Sequence, residues 1–315
     1  MDKLLLLMPS FMGYEMALIK ELEKKYLVTF VDSDSYMRQI RDCYYSNKIN
    51  RLARKLCAPL RLLEQEIVLG NFQKFQLSQI DFSLNAYDVI FTINGHGLTN
   101  EVYRQLVNNN KMARFILYLW DDTTNLFKTS HIELFCEKWS YNIDDCKQFD
   151  MNYLPMFVRE THLETEKNRK YDIAIVATAH SDRVEFAKKL YNRYNSILNI
   201  FIYFYDPKGE CDFYSHKQPL TYGEYIEILK ESKTVIDIPN IIQSGPTTRV
   251  TDAMSTKTKV ISTNDELKRY PLYNANISFV DRNNPVLNLD FIDLPYLEDE
   301  STFYTLNAWL EKMNI

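Results

Sequence analysis

The chain has 315 residues, of which 46% are hydrophobic and 25% charged, an ordinary globular composition that excludes a disordered chain. Its 37 basic and 42 acidic residues give a net charge of −5, whereas nucleic-acid-binding proteins usually carry a basic surplus. Domains usually contain about 100–200 residues, so the length predicts two domains and the charge predicts no nucleic-acid partner.

Cysteine usage and hydropathy bear on the cellular compartment. The five cysteines are odd in number and include no C-x-x-C pair, which favours a reducing environment over a disulfide framework or a zinc site. The apolar run at residues 4–8 is too short for a signal peptide, and no stretch reaches the roughly 18 apolar residues of a transmembrane helix. We therefore expect a cytoplasmic protein.

Apolar runs alternate with amphipathic helical stretches through the first half of the chain. Near-continuous apolar runs are typical of parallel strands that are buried on both faces. Strand–helix alternation of this kind predicts a parallel sheet covered by helices. The predicted strands span residues 4–8, 27–31, 87–93 and 115–120, and the predicted helices span residues 14–25 and 98–108.

A polar, charged stretch at residues 160–170 interrupts this pattern, and the alternation then restarts. We place the domain junction there, which gives domains at 1–160 and 161–300 and a last helix at 301–315 that is a candidate for packing back on the first domain. The fold class is α/β, with two Rossmann-like, doubly wound domains that face each other across a cleft. In the second half, the predicted strands span 172–178, 198–205, 234–238 and 259–263, and the predicted helices span 183–194, 222–231 and 248–255.

Ligands of doubly wound sheets bind beyond the carboxyl ends of the strands, so the loops there carry the chemistry. After the third predicted strand of the second half comes a loop with Gln243, Ser244 and Gly245, and Thr247 or Thr248 can cap the helix that follows. A helix N-terminus behind a glycine-containing loop attracts anions, because its backbone N–H groups are unpaired. We therefore predict an anion-binding site at this loop.

The same helix carries Arg249 and Asp252, which lie three residues apart and hence on one face. The guanidinium of Arg249 suits a phosphate, and the carboxylate of Asp252 can accept hydrogen bonds from ribose hydroxyls. The alternative interpretation is an Arg–Asp surface pair on an ordinary capped helix.

A second candidate loop, A-H-S-D-R at residues 179–183, follows the first strand of the second half. Backbone amides, Ser181 and Arg183 can face a diphosphate there, and His180 can stack on a nucleotide or donate to it. The alternative is that Ser181 or Asp182 only caps the next helix.

The sequence of residues 235–264 is similar to the C-terminal domain of glycosyltransferase-B enzymes. Its D-I-P-N, Q-S-G, Arg, D-A and K-V-I-S-T-N elements resemble a family of capsular-polysaccharide and lipopolysaccharide biosynthesis proteins. Asp252 stands where these proteins usually have Glu. Further marks of the family are G-Y-E at 13–15, Y-L-W-D-D at 118–122, L-P-x-F at 154–157 and A-H-S-D-R at 179–183.

The resemblance implies a glycosyltransferase of surface polysaccharide assembly. The second domain would bind a nucleotide-sugar donor, UDP- or GDP-linked, and the first domain would bind a glycan or a lipid-linked acceptor. Two alternatives stay open: a nucleotide-sugar epimerase of the same architecture, and a non-catalytic protein that binds a nucleotide sugar.

Transfer to a hydroxyl with inversion needs a general base, and retention needs a stabilised leaving group; the sequence leaves the stereochemistry open. The candidates for the base are Glu15, His96 and Asp121, of which we favour Asp121 because it directly follows a buried strand. Asp122 is its neighbouring alternative. We expect no obligatory metal ion or other cofactor, because we identify no acidic D-x-D-type loop; a helix terminus and an arginine can stabilise the departing diphosphate instead.

Residues 38–63 form a basic stretch in which seven basic residues and one acid, over 38–61, give a local charge of +6. Interleaved leucines make two interpretations possible. The stretch either contacts the anionic inner face of the plasma membrane and presents a lipid-linked acceptor, or forms a solvated helix with its leucines in the core.

Overall fold

The computed structural model describes residues 1–33, 78–95, 100–126, 129–159, 169–298 and 303–315. The basic stretch at 38–63 and His96 lie outside these residues, so their predicted roles stay predictions. The chain divides into two compact units, Met1–Leu154 with Asn314–Ile315, and Pro155–Met313. This division falls upstream of the charged stretch on which the sequence placed the junction.

The first unit contains a six-stranded sheet in which every strand pairing is parallel. The four strands predicted in this half are confirmed, and two short strands extend the sheet. The spatial order is β2-β1-β3-β4-β5-β6, so the strand order reverses beside β1. The strands are β1 (Asp2–Met8), β2 (Tyr26–Asp32), β3 (Val89–Ile93), β4 (Arg114–Leu119), β5 (Glu137–Ser140) and β6 (Asn152–Tyr153).

α-Helices lie between β1 and β2, between β3 and β4 and between β5 and β6, as is usual for parallel strands. Leu4, Leu5, Leu6 and Leu7 are fully buried, which confirms that β1 is covered on both faces. The described helices of the unit are α1 (Tyr14–Leu22), α2 (Asn100–Asn109) and α3 (Ile143–Phe149).

The second unit repeats this architecture with another six-stranded, all-parallel sheet. Its spatial order, β10-β9-β8-β11-β12-β13, is the Rossmann order, and the switch point lies between β8 and β11. The predicted strands are confirmed, and β10 and β13 are additional. The strands are β8 (Tyr171–Thr178), β9 (Ile200–Tyr205), β10 (Ser215–His216), β11 (Ser232–Asp237), β12 (Lys259–Ser262) and β13 (Ile277–Phe279).

A small two-stranded pair accompanies this sheet, formed by β7 (Phe157–Val158) and β14 (Tyr304–Thr305). The last helix belongs to the second unit, and its buried Trp309 contacts Phe157 with ring centroids 4.9 Å apart. The helices of the unit are α4 (Ser181–Tyr194), α5 (Tyr222–Lys230), α6 (Thr248–Ser255), α7 (Leu289–Asp293) and α8 (Leu306–Lys312).

Each sheet has its own hydrophobic core between strands and helices. Because all strands of a sheet run the same way, their carboxyl ends share one edge, and the loops at that edge bring distant residues together. Within the described ranges, no helix is long and apolar enough to cross a bilayer.

Candidate functional site

The second unit has a buried carboxylate at the carboxyl end of β11. Asp237 is 1% exposed, and its Oδ1 accepts hydrogen bonds from Arg249 Nη1 and Thr247 Oγ1, both at 2.7 Å. Its Oδ2 accepts from Ser262 Oγ at 2.9 Å, at the end of β12. Asp237 therefore fixes the start of α6 against two strand ends.

Arg249 is engaged by the protein itself. Its side chain is 17% exposed and pairs with Asp237, while Nη2 donates to the backbone oxygen of Val176 in β8 at 2.9 Å. The buried Nε has no partner among the described residues. The geometry thus gives Arg249 a bridging position between β8, β11 and α6, and its predicted phosphate contact stays a prediction.

Arg183, in the first turn of α4, differs from Arg249 in its contacts. Its guanidinium is half-buried, and no residue that the structure describes forms a hydrogen bond or an ion pair with it. Burial and the nearby charges of Arg249 and Arg282 lower the pKa of Arg183, although Asp182 and Asp237 act in the opposite direction. Three guanidinium groups therefore lie near each other here, and Arg183 is the one without a partner in the part of the chain that the structure describes.

Arg282 is a residue that the sequence analysis missed. It follows the short strand β13 and donates to Asp182 through both Nε and Nη2, and to the backbone oxygen of Pro239 at 3.0 Å. Burial acts to raise the pKa of Asp182, but Arg282 and the backbone N–H groups of residues 182 and 183 lower it overall. Asp182 therefore lies in the first turn of α4 and pairs with Arg282, while the N-cap position belongs to His180; that Ser181 or Asp182 only caps the helix stays an open alternative.

A cavity of about 370 Å³ opens beside Arg282, at the carboxyl ends of β12 and β13. This volume lies in the usual range for small-molecule pockets. Its walls offer an aromatic ring, two carboxylates and two cations. The lining residues that matter here are Thr263, Asp265, Lys268, Phe279, Asp281 and Arg282.

The loop before α6 is ordered by backbone contacts. The backbone N–H of Gln243 donates to Asn240 O at 3.0 Å, and Ser244 O accepts from Asn264 Nδ2 at 3.0 Å. Gly245 is buried, whereas Thr248 is exposed. Thr247 occupies the N-cap position of α6 but makes no side-chain cap, because its hydroxyl is used by Asp237.

Asp252 does not present its carboxylate to solvent. It is 2% exposed and accepts from the Tyr222 hydroxyl at 2.9 Å. Burial raises its pKa to about 7, against the opposing effects of Tyr222, Arg249 and Arg159. A ribose hydroxyl can reach Asp252 only if Tyr222 gives way, so the predicted ribose contact stays a prediction that this geometry does not favour.

The remaining candidates of the 179–183 loop flank the start of α4. His180 occupies the N-cap position, is exposed and makes no side-chain cap. Ser181 begins the helix, and its side chain lies outside the described residues.

In the first unit, Asn94 positions Asp121. Asn94 Nδ2 donates to Asp121 Oδ2 at 2.6 Å, and Asn94 Oδ1 accepts from the backbone N–H groups of Trp120 and Asp121. Asn94 has a φ of 58°, and His131 Nε2 donates to its backbone oxygen at 2.7 Å. Asp121 stays partly exposed at the carboxyl end of β4.

The side chain of the neighbouring Asp122 is buried. It is 3% exposed and accepts hydrogen bonds from the Tyr141 hydroxyl and from Asn142 Nδ2, the latter at 2.7 Å. Of the two adjacent carboxylates, Asp122 is therefore the buried one and Asp121 the partly exposed one.

Glu15 lies in the first turn of α1, where its Oε2 accepts from the backbone N–H of Phe11 at 3.1 Å. This bond closes the loop after β1. Phe11, which is largely exposed, and Tyr14 both contact Trp120, with ring centroids 6.4 and 6.1 Å apart. An aromatic surface thus lies next to Asp121.

The sequence interpretation also passed over an acidic triplet, Asp32-Ser33-Asp34, at the end of β2. Asp34 lies outside the described residues. Among the residues that are described, no group of three His, Cys, Asp or Glu side chains is arranged to hold a metal ion.

No known family description matches the sequence, and no curated protein is similar enough to count as a match. Solved structures are similar to it in fold. MurG of Acinetobacter baumannii is 8% identical, with 99% of this chain and 98% of MurG covered and a TM-score of 0.52. Two more distant structures are the glycotransferase of kitacinnamycin (10% identity, 100% and 91% covered, TM-score 0.49) and a UDP-N-acetylglucosamine 2-epimerase (11%, 90% and 85%, 0.45).

At 8% identity, the likeness to MurG shows the fold alone. The chain has the two Rossmann-like domains of glycosyltransferase-B enzymes, which confirms the predicted fold class.

The raised pKa of Asp252 predicts a pH-dependent stability difference. Between about pH 4 and pH 7 the native carboxyl holds a proton that the unfolded chain has lost, so the wild-type free energy of unfolding falls as the pH rises through this window. Asp252→Asn does not titrate, so its stability relative to wild type should increase by about 2–3 kcal/mol from pH 5 to pH 8. Urea unfolding at both values measures this, and an equal difference at both would show that Asp252 titrates normally.

Proposed function

We propose that this chain is a glycosyltransferase that moves a sugar from a UDP- or GDP-sugar to a glycan or lipid-linked acceptor in capsule or lipopolysaccharide biosynthesis. In this proposal the second unit binds the donor, and the first unit binds the acceptor and supplies the base. The observation that carries it is the guanidinium of Arg183 at the switch point of the second sheet, which has no partner among the described residues.

A half-buried cation without a counter-charge is costly, and two neighbouring arginines increase that cost by repulsion. Arg249 and Arg282 have their carboxylates, Asp237 and Asp182, but Arg183 has no protein partner among the described residues. An anionic ligand removes this imbalance, and a guanidinium binds phosphate oxygens with strong, charge-assisted hydrogen bonds. We therefore assign the donor diphosphate to Arg183.

The surrounding residues prepare this site. Asp237 and Arg249 hold α6 and the strand ends in place, so that the binding group needs no reorganisation when the ligand arrives. The cavity beside Arg282 has room for one ring of the donor, and its carboxylates Asp265 and Asp281 can accept hydrogen bonds from hydroxyl groups.

Asp121 is the proposed base for an inverting transfer. Its carboxylate accepts the proton of the acceptor hydroxyl while that oxygen attacks the anomeric carbon and the bond to the diphosphate breaks. Arg183 then stabilises the negative charge on the departing diphosphate. Asn94 fixes the Asp121 carboxylate, and the exposed Phe11 ring offers a face for an acceptor next to it.

Arg183→Gln should weaken nucleotide diphosphate binding about 10- to 150-fold, the equivalent of one charge-assisted contact of roughly 1.5–3 kcal/mol. Because Arg183 has no described partner, we expect its loss to leave the free energy of unfolding unchanged or higher. Titration calorimetry with UDP and GDP measures the affinity. Arg193→Gln, at the other end of α4, is the matched control and should bind normally.

Arg249→Ala tests the structural role of Arg249, in contrast to the binding role proposed for Arg183. It leaves the buried Asp237 carboxylate without its cation, so the free energy of unfolding should fall by about 3–5 kcal/mol.

If Arg183→Gln binds both nucleotides with wild-type affinity, the donor site lies elsewhere.

Asp121→Asn should lower kcat by about 10²–10⁴ and leave nucleotide affinity nearly unchanged, because a general base acts in the transition state. The readout is nucleoside diphosphate release in the presence of acceptor. Asp122→Asn, which disturbs the bonds to Tyr141 and Asn142, should instead lower the unfolding midpoint. Near-normal turnover in Asp121→Asn, together with inactive Glu15→Gln or His96→Ala, would place the base on another loop.

Transfer should survive chelation, since arginine and backbone groups are the proposed stabilisers of the diphosphate. The measurement is activity in EDTA against activity with added Mg²⁺ or Mn²⁺. Loss of transfer in EDTA and recovery with either ion would overturn the metal-independent mechanism. The triplet at 32–34 would then be the first place to test.

A further inference from the structure

A second cavity, with a basic lining, lies at the opposite end of the second sheet, beside the amino ends of β11 and β12. It encloses about 420 Å³, within the range of small-molecule pockets. Lys233 is the second residue of β11 and Lys259 is the first residue of β12, whereas Arg183 and Asp237 lie at the carboxyl ends. Its charged and polar lining consists of Arg169, Lys233, Lys257, Lys259, Asp293 and Tyr296.

The charge of this cavity opposes that of the whole chain. Four cations and one carboxylate line it, a balance of +3 in a protein of net charge −5. The cations also repel each other: burial, followed by the charges of Lys233 and Arg169, lowers the pKa of Lys259 to about 8, although Asp293 acts in the opposite direction. Two carboxylates beside the lining, Asp172 and Glu298, pair with Lys233 and Lys257, so one positive charge remains in excess around the cavity.

Two of the cations are fixed by backbone oxygens. Arg169 donates to the carbonyls of Thr256 and Lys257, among others, at 3.0 and 2.7 Å. Lys259 Nζ donates to the carbonyls of Phe291, Ile292 and Leu294 around the end of α7. These two groups act as fixed charges with their donors already used.

The other two lysines can supply donors to a ligand. Lys233 pairs with Asp172, which is 21% exposed, and with Asp293, which is 77% exposed. Lys257 pairs with Glu298, which is 76% exposed. Exposed ion pairs contribute roughly 0–1 kcal/mol, so a more strongly charged anion can replace Asp293 and Glu298 at little cost while Asp172 stays with Lys233. A phosphate group, with several charged acceptor oxygens, fits this requirement best.

We propose that this cavity is a second anion site, distinct from the donor site, which binds a small phosphorylated ligand through Lys233 and Lys257. The inference does not depend on the chain being a glycosyltransferase. The fixed charges of Arg169 and Lys259 attract the phosphate, and the two mobile ammonium groups hydrogen-bond to it.

The probe is pyrophosphate. The lysine changes are made in Arg183→Gln, because this variant lacks the proposed donor contact. Calorimetry should show pyrophosphate binding to Arg183→Gln, and the added pair Lys233→Gln and Lys257→Gln should weaken it about tenfold or more. The matched control adds Lys24→Gln and Lys188→Gln instead, which remove the same charge from lysines that also pair with acids. This control should bind like its parent.

Co-sedimentation with phosphatidylglycerol vesicles distinguishes a free phosphate from a lipid headgroup. Vesicle binding that is lost in the Lys233/Lys257 variant would support the phosphate site and assign it to a lipid. Absence of both pyrophosphate and vesicle binding in Arg183→Gln, or equal weakening in the two lysine pairs, would overturn the proposal. Circular dichroism of each variant shows whether it is folded.

Discussion

The arrangement of the second unit depends on the buried contact between Asp237 and Arg249. A carboxylate at 1% exposure is tolerated only when hydrogen bonds and a counter-charge replace its water, and here three side-chain donors, one of them cationic, do so. The same contact ties α6 to β11 and, through Val176, to β8. Because Arg249 is committed to this network, the proposed donor contact falls to Arg183, which has no partner among the described residues.

In the first unit, a neutral amide side chain rather than a cation holds the carboxylate at the sheet edge. Asn94 orients Asp121 by one donated and two accepted hydrogen bonds, and the carboxylate keeps an accessible face. The two carboxylates differ in exposure: Asp237 is buried and paired with a cation, whereas Asp121 is partly exposed and is held by an amide. In the proposed function the first is structural and the second is the base.

The fold could be predicted because near-continuous apolar runs separated by amphipathic stretches permit few arrangements other than parallel sheets. The direction of individual side chains could not. Asp121 and Asp122 are adjacent and chemically identical, and what separates them is Tyr141 and Asn142, about twenty positions downstream. Likewise, Asp252 is buried by Tyr222, which lies on another helix. Arg282 could not be predicted as a site residue, because β13 has only three residues and no apolar run in the sequence marks its end.

The most direct test of the donor site is a crystal structure of the protein with bound UDP or GDP. We predict that diphosphate oxygens lie within about 2.7–3.2 Å of the Arg183 guanidinium and that the Asp237–Arg249 contact is unchanged. A nucleotide that leaves Arg183 untouched, or a diphosphate bound by Arg249 after it has released Asp237, would contradict it.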